Sequence, residues 1–466
     1  MRESFARLGS RFLRFAFGGS AARTAVASFA CAIALGTLLL TLPISSRGEG
    51  WTSPVDALFT ATSAVCVTGL LVKSTPDHWS LFGQLVILTL IQVGGLGIMT
   101  MGAFVAIMLQ RRLSMRFEAV MTDIVEPAAV ESVWTLVRFI CLFTLVAEVL
   151  GAASLFFAWR GDFAGFWGCF YHSVFHSISA FCNAGFSLNN DSLTRYVDST
   201  PINVAVCLLI IFGGIGFTVV RDLKRYAGWW LFSRRGRRPQ LSTHSKLVLT
   251  VTGVLLVVGF LGVFVLESFG ALRHAPLKTK VLAALFQSVT PRTAGFNTVE
   301  MSRGTLGPAT VFLLMALMYV GGSPGSTAGG IKTSTLGVMI ASIVATLRGR
   351  SKAHLFNHSL SEETVHRVAS IILLSVAALM GGIFVLLVTE TAAFDQIVFD
   401  AISAFGTVGL STGLTGPSTT MTALGKVAVT ALMFVGRLGP VTLVLSVAAL
   451  KERAVYSYPE DQVLVG

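Results

Sequence analysis

Thr62-Ser63-Ala64-Val65-Cys66-Val67-Thr68-Gly69-Leu70 closes a short apolar stretch on a glycine, and Asn183-Ala184-Gly185, Thr293-Ala294-Gly295 and Thr407-Val408-Gly409 close three more. These glycines are separated by 116, 110 and 114 residues. One unit therefore recurs four times, and such a period fixes the architecture before any local motif does. A second series keeps step with it: Val93-Gly94-Gly95-Leu96-Gly97, Phe212-Gly213-Gly214-Ile215-Gly216, Val320-Gly321-Gly322-Ser323 and Val435-Gly436-Arg437-Leu438-Gly439, each 25 to 28 residues beyond its loop glycine. That offset matches one membrane-crossing helix plus a link.

The chain has 466 residues, 53% of them apolar and only 12% charged, with a mean hydropathy of +0.75. This composition excludes a soluble enzyme and indicates a polytopic membrane protein. Eight apolar runs are long enough to cross, at 24–43, 81–109, 133–158, 201–220, 245–267, 308–343, 365–389 and 422–450. Between the members of each pair lies a run too short to cross, at 54–66, 168–181, 279–290 and 396–406. Each reads as a re-entrant helix that returns through its glycine loop, because irregular backbone at membrane depth survives only against protein or water. The expected fold is an all-α polytopic membrane protein. It has four consecutive helix, re-entrant pore loop, helix repeats arranged pseudo-fourfold around one central ion pore, with eight transmembrane helices. The division is a segment 1–23, repeats 24–116, 117–246, 247–352 and 353–452, and a tail 453–466.

The net charge of +12 could suggest nucleic acid, but its distribution argues against that partner. Twenty-three lysines and arginines fall in the two termini and the inter-repeat segments, against nine in the opposite loops. The positive-inside rule then puts both termini in the cytoplasm, in contact with membrane lipid along the spans. Trp51, Trp79, Trp159 and Trp167 fall near the outer interface and Trp229 and Trp230 near the inner one. No small-residue cleavage site follows the first span, which reads as retained. Six cysteines show no paired spacing, so neither a disulfide framework nor a zinc site is indicated.

A cation entering hydrocarbon needs its lost water replaced, and rings of backbone carbonyls can do this. Glycine reaches the positive-φ conformations that turn successive carbonyls to one axis. Gly69, Gly185, Gly295 and Gly409 are thus expected to set a filter comprising Cys66, Val67, Thr68, Gly69, Asn183, Ala184, Gly185, Thr293, Ala294, Gly295, Thr407, Val408 and Gly409. Each re-entrant helix points its C-terminal end, about half a negative charge, at this filter. No acidic ring appears there, which suits a monovalent cation. Close packing between helices is the competing reading of any one such glycine, and fourfold recurrence weighs against it.

Arg437 takes the place of Gly95, Gly214 and Gly322, a charge within a span that faces either an aqueous path, as a barrier to cations, or a carbonyl or acidic anchor. Gly321-Gly322-Ser323-Pro324-Gly325-Ser326-Thr327-Ala328-Gly329-Gly330 breaks the long run of the third repeat and is a candidate gate under the filter. Gly325 to Thr333 approaches a phosphate loop, but Ile331 intrudes before Lys332 and no strand precedes it. No nucleotide is expected on this chain. His172 and His176 share one helix face at a spacing metals use, without a third ligand. Glu148, Glu267 and Glu390 are placed near span ends, where solvation competes with proton relay. Arg234-Arg235-Gly236-Arg237-Arg238 reads as a topology determinant rather than a lipid-headgroup site.

With these four loops, extended by Ser179-Ala180-Phe181-Cys182 before the second, Thr290-Pro291-Arg292 before the third and Ser403-Ala404-Phe405-Gly406 before the fourth, the chain resembles the Trk/Ktr/HKT superfamily of potassium transporters, and within it the KtrB-type membrane subunits. The resemblance covers nearly the whole chain. It implies potassium uptake across the plasma membrane, the bacterial inner membrane, with K+ held at the carbonyls of Val67, Asn183, Thr293 and Thr407. It implies gating by the glycine-rich loop and Arg437, and sodium as a further, stimulating ion. It also implies a homodimer with one pore per protomer, docked on a cytosolic ring of nucleotide-binding (RCK-type) regulatory subunits that would do the ATP sensing. Glycine rather than serine at position 69 points, by the same resemblance, to potassium over sodium. The rival class is a sodium-coupled or proton-coupled cation carrier, which would use midplane carboxylates and inverted repeats. The repeats here are parallel, and the reading finds no midplane acid. A hydrolase is not indicated, since no nucleophile and base fall together.

Overall fold

The computed structural model describes residues 21–48, 50–108, 133–232 and 239–447. The expected amino-terminal segment up to residue 20, the basic run 234–238 and the tail 453–466 lie outside them. Each repeat opens with a long helix: α1 (Ala21–Thr41), α4 (Val133–Trp159), α8 (Thr243–Glu267) and α12 (Glu362–Thr389). In the described residues these are the four helices long and apolar enough to cross a membrane. Their starts follow capping chemistry: Ser242 accepts from the Ser245 N–H, and Ser361 accepts from that of Thr364 with Glu362 and Glu363 in the first turn. Leu38, Leu142, Phe157, Val254, Leu261, Phe384 and Val388 leave them as exposed apolar side chains. On a helix of this length, such exposure is contact with hydrocarbon.

A short helix follows each long one: α2 (Pro54–Val65), α5 (Phe166–Phe181), α9 (Leu277–Val289) and α13 (Phe394–Gly406). All four expected re-entrant segments are therefore helical, and their last turns are the most buried parts of the molecule.

The second span of each repeat departs from the expectation, since none runs through. α3 (Leu81–Met108) turns out of helical geometry at Gly97, φ 73°. α6 (Thr200–Ile215) and α7 (Phe217–Phe232) meet at Gly216, φ 97°, with a 106° bend. α10 (Pro308–Tyr319) and α11 (Thr333–Leu347) are parted by residues 320–332, and α14 (Ala423–Leu438) and α15 (Pro440–Val447) by Gly439, φ 83°. A break was expected in the third repeat alone. In the other three the last glycine of the motif takes a left-handed turn that a helix cannot contain.

The repeats close on one another. α3 packs on α5, α6 on α9, α10 on α13 and α14 back on α2, so the second span of each repeat touches the short helix of the next. Hydrocarbon offers little hydrophobic drive between helices, so close backbone approach has to hold them. A Cβ on Gly94, Gly213 or Gly436 would lie 1.9, 1.9 and 1.8 Å from the carbonyl oxygens of Val65, Phe181 and Phe405. No side chain fits there. A β-hairpin of two-residue strands, β1 (His354–Leu355) and β2 (His358–Ser359), is the sole sheet among the described residues.

Two tryptophans also differ from expectation. Trp51 and Trp167 are exposed, whereas Trp79 and Trp159 are wholly buried. Trp159 packs its indole edge against His172 and His176, whose imidazoles bond Asn189 and Ser187 at 3.0 Å each. The histidine pair is thus a packed element of the core, and no metal-type cluster of three ligands occurs among the described residues.

Candidate ion-conducting site

The four loops have the same backbone. Val67, Asn183, Thr293 and Thr407 are left-handed at φ 56°, 61°, 72° and 51°, and two residues on Gly69, Gly185, Gly295 and Gly409 follow at 91°, 69°, 75° and 95°. Left-handed geometry at a non-glycine costs about 1–3 kcal/mol and persists only where the surroundings over-determine it. Here a recurring set of hydrogen bonds does so. The N–H groups of Thr68, Ala184, Ala294 and Val408 donate to the carbonyls of Ser63, Ser179, Thr290 and Ser403 at 2.8, 2.7, 3.0 and 2.8 Å. The hydroxyls of those same residues reach forward. Ser63 donates to Leu70 O and accepts from the Gly69 N–H, Ser179 donates to Phe186 O, Thr290 to Phe296 O, and Ser403 accepts from the Gly409 N–H. No motif in the sequence singles out these four hydroxyls. Their signal was a Ser or Thr five or six residues before each glycine.

The loops meet in a ring. A Cβ on Gly69 would fall 2.5 Å from Ala184 O, one on Gly185 2.9 Å from Ala294 O, one on Gly295 2.4 Å from Val408 O, and one on Gly409 2.1 Å from Thr68 O. Each glycine therefore borders a carbonyl of the next loop, and the fourth returns to the first. All thirteen expected filter residues, Cys66 among them, belong to these four loops or cap the helices leading into them.

Residues 320–332 lie against the ends of the short helices. Ser323 and Thr327 donate their N–H groups to Gly214 O (3.0 Å) and Gly213 O (3.1 Å), Gly330 donates to Gly436 O (3.3 Å), and the Thr327 hydroxyl reaches Phe181 O (3.2 Å). A Cβ on Gly329 would be 2.2 Å from the Thr407 hydroxyl. The segment thus runs between the second and fourth repeats and touches the fourth loop. Arg437 donates to Thr327 O in this segment and to Gly94 O in the first repeat.

Two charged groups here lie where the hydropathy pattern gives no sign of them. Arg292, buried in the third loop, donates to Thr252 O and Gly321 O at 3.3 Å each. Glu148 sits near the midpoint of α4 rather than at a span end, buried, with its carboxylate 3.3 Å from Gln92 Nε2 and 3.9 Å from the thiol of Cys182. A carboxylate is therefore present behind the second loop, where none was expected. Glu267 and Glu390 are as placed, at helix ends, accepting from the N–H groups of Ala271 and Gly307 and of Thr422.

At the start of α2, Asp56 pairs with Lys426 of α14 at 2.7 Å and with Lys73 at 3.7 Å, tying the first repeat to the fourth. Asp400, fully buried in α13, accepts from Ser411 Oγ (2.7 Å), Thr412 N (3.0 Å), and Thr415 N and Oγ1 (both 2.9 Å). It anchors the chain that leaves the fourth loop.

A carbonyl ring served by helix C-termini inside a bundle that presents hydrocarbon-facing helices defines a cation-handling membrane protein. The chain belongs to the TrkH family of cation transport proteins, whose model matches residues 21–457. It is 38% identical to the potassium/sodium uptake protein NtpJ of Enterococcus hirae, over 94% of this chain and 96% of that one. It is also 38% identical to the Ktr system potassium uptake protein B of Bacillus subtilis, over 94% and 95%. Its fold is similar to the crystal structure of the potassium transporter TrkH from Vibrio parahaemolyticus, with a TM-score of 0.68 at 18% identity, covering 91% of this chain and 84% of that one.

Proposed function

We propose that this chain takes up potassium through a filter made of the carbonyls of Val67, Asn183, Thr293 and Thr407 and their neighbours, at the centre of a pseudo-fourfold pore of eight spans in repeats 24–116, 117–246, 247–352 and 353–452. The observation that carries the reading is the closed ring in which each loop glycine borders the next loop's carbonyl. The short helices act as pore helices whose C-terminal ends favour a cation. The uptake of potassium and sodium named for the relatives supports K+ as cargo with Na+ as a second ion.

The 320–332 segment is the gate, and Arg437 is both its latch, through Thr327, and a charge barrier on the path. The reading adds a cytosolic nucleotide-binding ring and a homodimer in the bacterial inner membrane, both termini cytoplasmic; the word "system" in the relatives' Ktr names supports a multi-component assembly, and the basic-residue asymmetry supports the orientation. The test is potassium against sodium flux in proteoliposomes at a set potential, wild type beside Gly69→Ser. A wild-type preference for potassium that the variant loses supports the filter; an unaltered ratio removes Gly69 from it.

Glu148 favours a second reading, a proton-coupled carrier, because an intramembrane carboxylate near the loops is what such coupling uses. Proton movement that accompanies cation flux and vanishes in Glu148→Gln would replace the channel reading with this one.

A further inference from the structure

The third repeat carries a crevice that the ion path does not use. It lies between α8 and α11 with a volume of about 450 Å³, and Leu247, Val251, Leu255, Leu336, Ile340 and Val344 form its apolar walls. At the end leading into the inter-repeat segment stand Arg348, Arg350 and His354, all exposed at its rim. Among the described residues neither arginine has an acidic partner. The trough is open to the side on which Val254 and Ile340 are half exposed, the hydrocarbon-facing surface of both helices.

The hairpin adds an independent sign of construction. Its two turn residues, Phe356 and Asn357, are both left-handed, at φ 46° and 68°. Asparagine tolerates this, whereas a bulky aromatic adopts it only when held there. Phe356 lines the same crevice, beside His354 and the arginines. A strained residue thus forms the lip of an apolar trough with a cationic end.

We propose that this crevice binds an anionic phospholipid, one acyl chain lying between α8 and α11 and the phosphate held by Arg348 and Arg350. A guanidinium matches a phosphate with paired N–H donors, and basic pockets between helices on the positive side of a membrane protein take acidic headgroups. A soluble acidic ligand would leave the apolar trough unused. The site stands on this geometry alone and is independent of the transport reading.

Thermal unfolding of the purified full-length chain in detergent, titrated with phosphatidylglycerol or with phosphatidylcholine of the same chains, tests it. The expected result is stabilisation by phosphatidylglycerol at concentrations at least tenfold lower than by phosphatidylcholine. Arg348→Gln with Arg350→Gln abolishes that preference, Arg273→Gln at the opposite face leaves it, and Ile340→Trp, which fills the trough while keeping both arginines, weakens binding tenfold or more. Equal action of the two lipids, or a preference that survives loss of both arginines, overturns the proposal. So does inorganic phosphate alone giving the same shift, which would make the ligand a free anion. A preference untouched by Ile340→Trp also overturns it, since the basic end would then serve an acidic protein surface instead of a lipid chain.

Discussion

Alanine at the four loop glycines should harm ion discrimination in a graded order that the ring itself sets. Every one of the four sits at positive φ, so any side chain there incurs about 1–3 kcal/mol of backbone strain. The collision differs between them. The added Cβ would stand 2.1 Å from Thr68 O at Gly409, 2.4 Å from Val408 O at Gly295, 2.5 Å from Ala184 O at Gly69 and 2.9 Å from Ala294 O at Gly185, where ordinary contact begins at 3.4 Å. These obstacles are backbone carbonyls, which relieve the clash only by turning or withdrawing from the ring. If the full strain differs between potassium and sodium occupancy, 1–3 kcal/mol corresponds to about 5- to 150-fold in their ratio. The loss of potassium preference should therefore be greatest for Gly409→Ala, intermediate and similar for Gly295→Ala and Gly69→Ala, and least for Gly185→Ala. Competitive flux in proteoliposomes reads the ratio. Gly253→Ser, on a helix face with nothing within 4 Å, controls for folding. Equal losses at all four positions, or the largest loss at Gly185, would refute the argument that neighbouring carbonyls set the filter.

Arg437→Gln removes the charge and the bond to Thr327 O, so basal potassium flux without any cytosolic partner should rise several-fold, measured in the same vesicles; unchanged flux would mean that the arginine is a structural anchor only. Asp400→Asn converts an acceptor of four hydrogen bonds into a group that presents an N–H₂ to donors. With hydrogen bonds to a charged group contributing about 1.5–3 kcal/mol each, the variant should lose at least about 2 kcal/mol. Its melting temperature should fall clearly below wild type, and an unshifted melt would show that the buried carboxylate is already neutral.

The loops were legible because each recurs at a fixed period, and the recurrence carries information that one glycine does not. The breaks at Gly97, Gly216 and Gly439 were not, since a lone glycine in an apolar run reads equally as a packing point. Glu148 was misplaced because a hydropathy window locates a span and not its centre. Trp79 and Trp159 are expected at the interface from the preference of their type, yet both are buried, and the environment of Trp159 is made by His172 and His176, brought to it from another helix. The hydroxyls of Ser63, Ser179, Thr290 and Ser403 stood within the quoted motifs. Their role appears only when the backbone doubles back and brings residues six or seven apart into hydrogen-bond contact.

The broken spans explain how the protein keeps bare cationic side chains in its interior. Because α3, α6, α10 and α14 each leave helical geometry at their glycine motifs, main-chain carbonyls that a continuous helix would pair internally are left free to accept other donors. Each such carbonyl oxygen is a partial negative charge that needs no carboxylate. Arg437, Arg292 and Lys332 all bond main-chain oxygens, those of Thr327, Gly94, Thr252, Gly321 and Ala328. The counter-charge is thus built into the folding of the chain and cannot be titrated away. Acid would neutralise side-chain carboxylates, yet the carbonyl oxygens that tether these three residues would keep their charge.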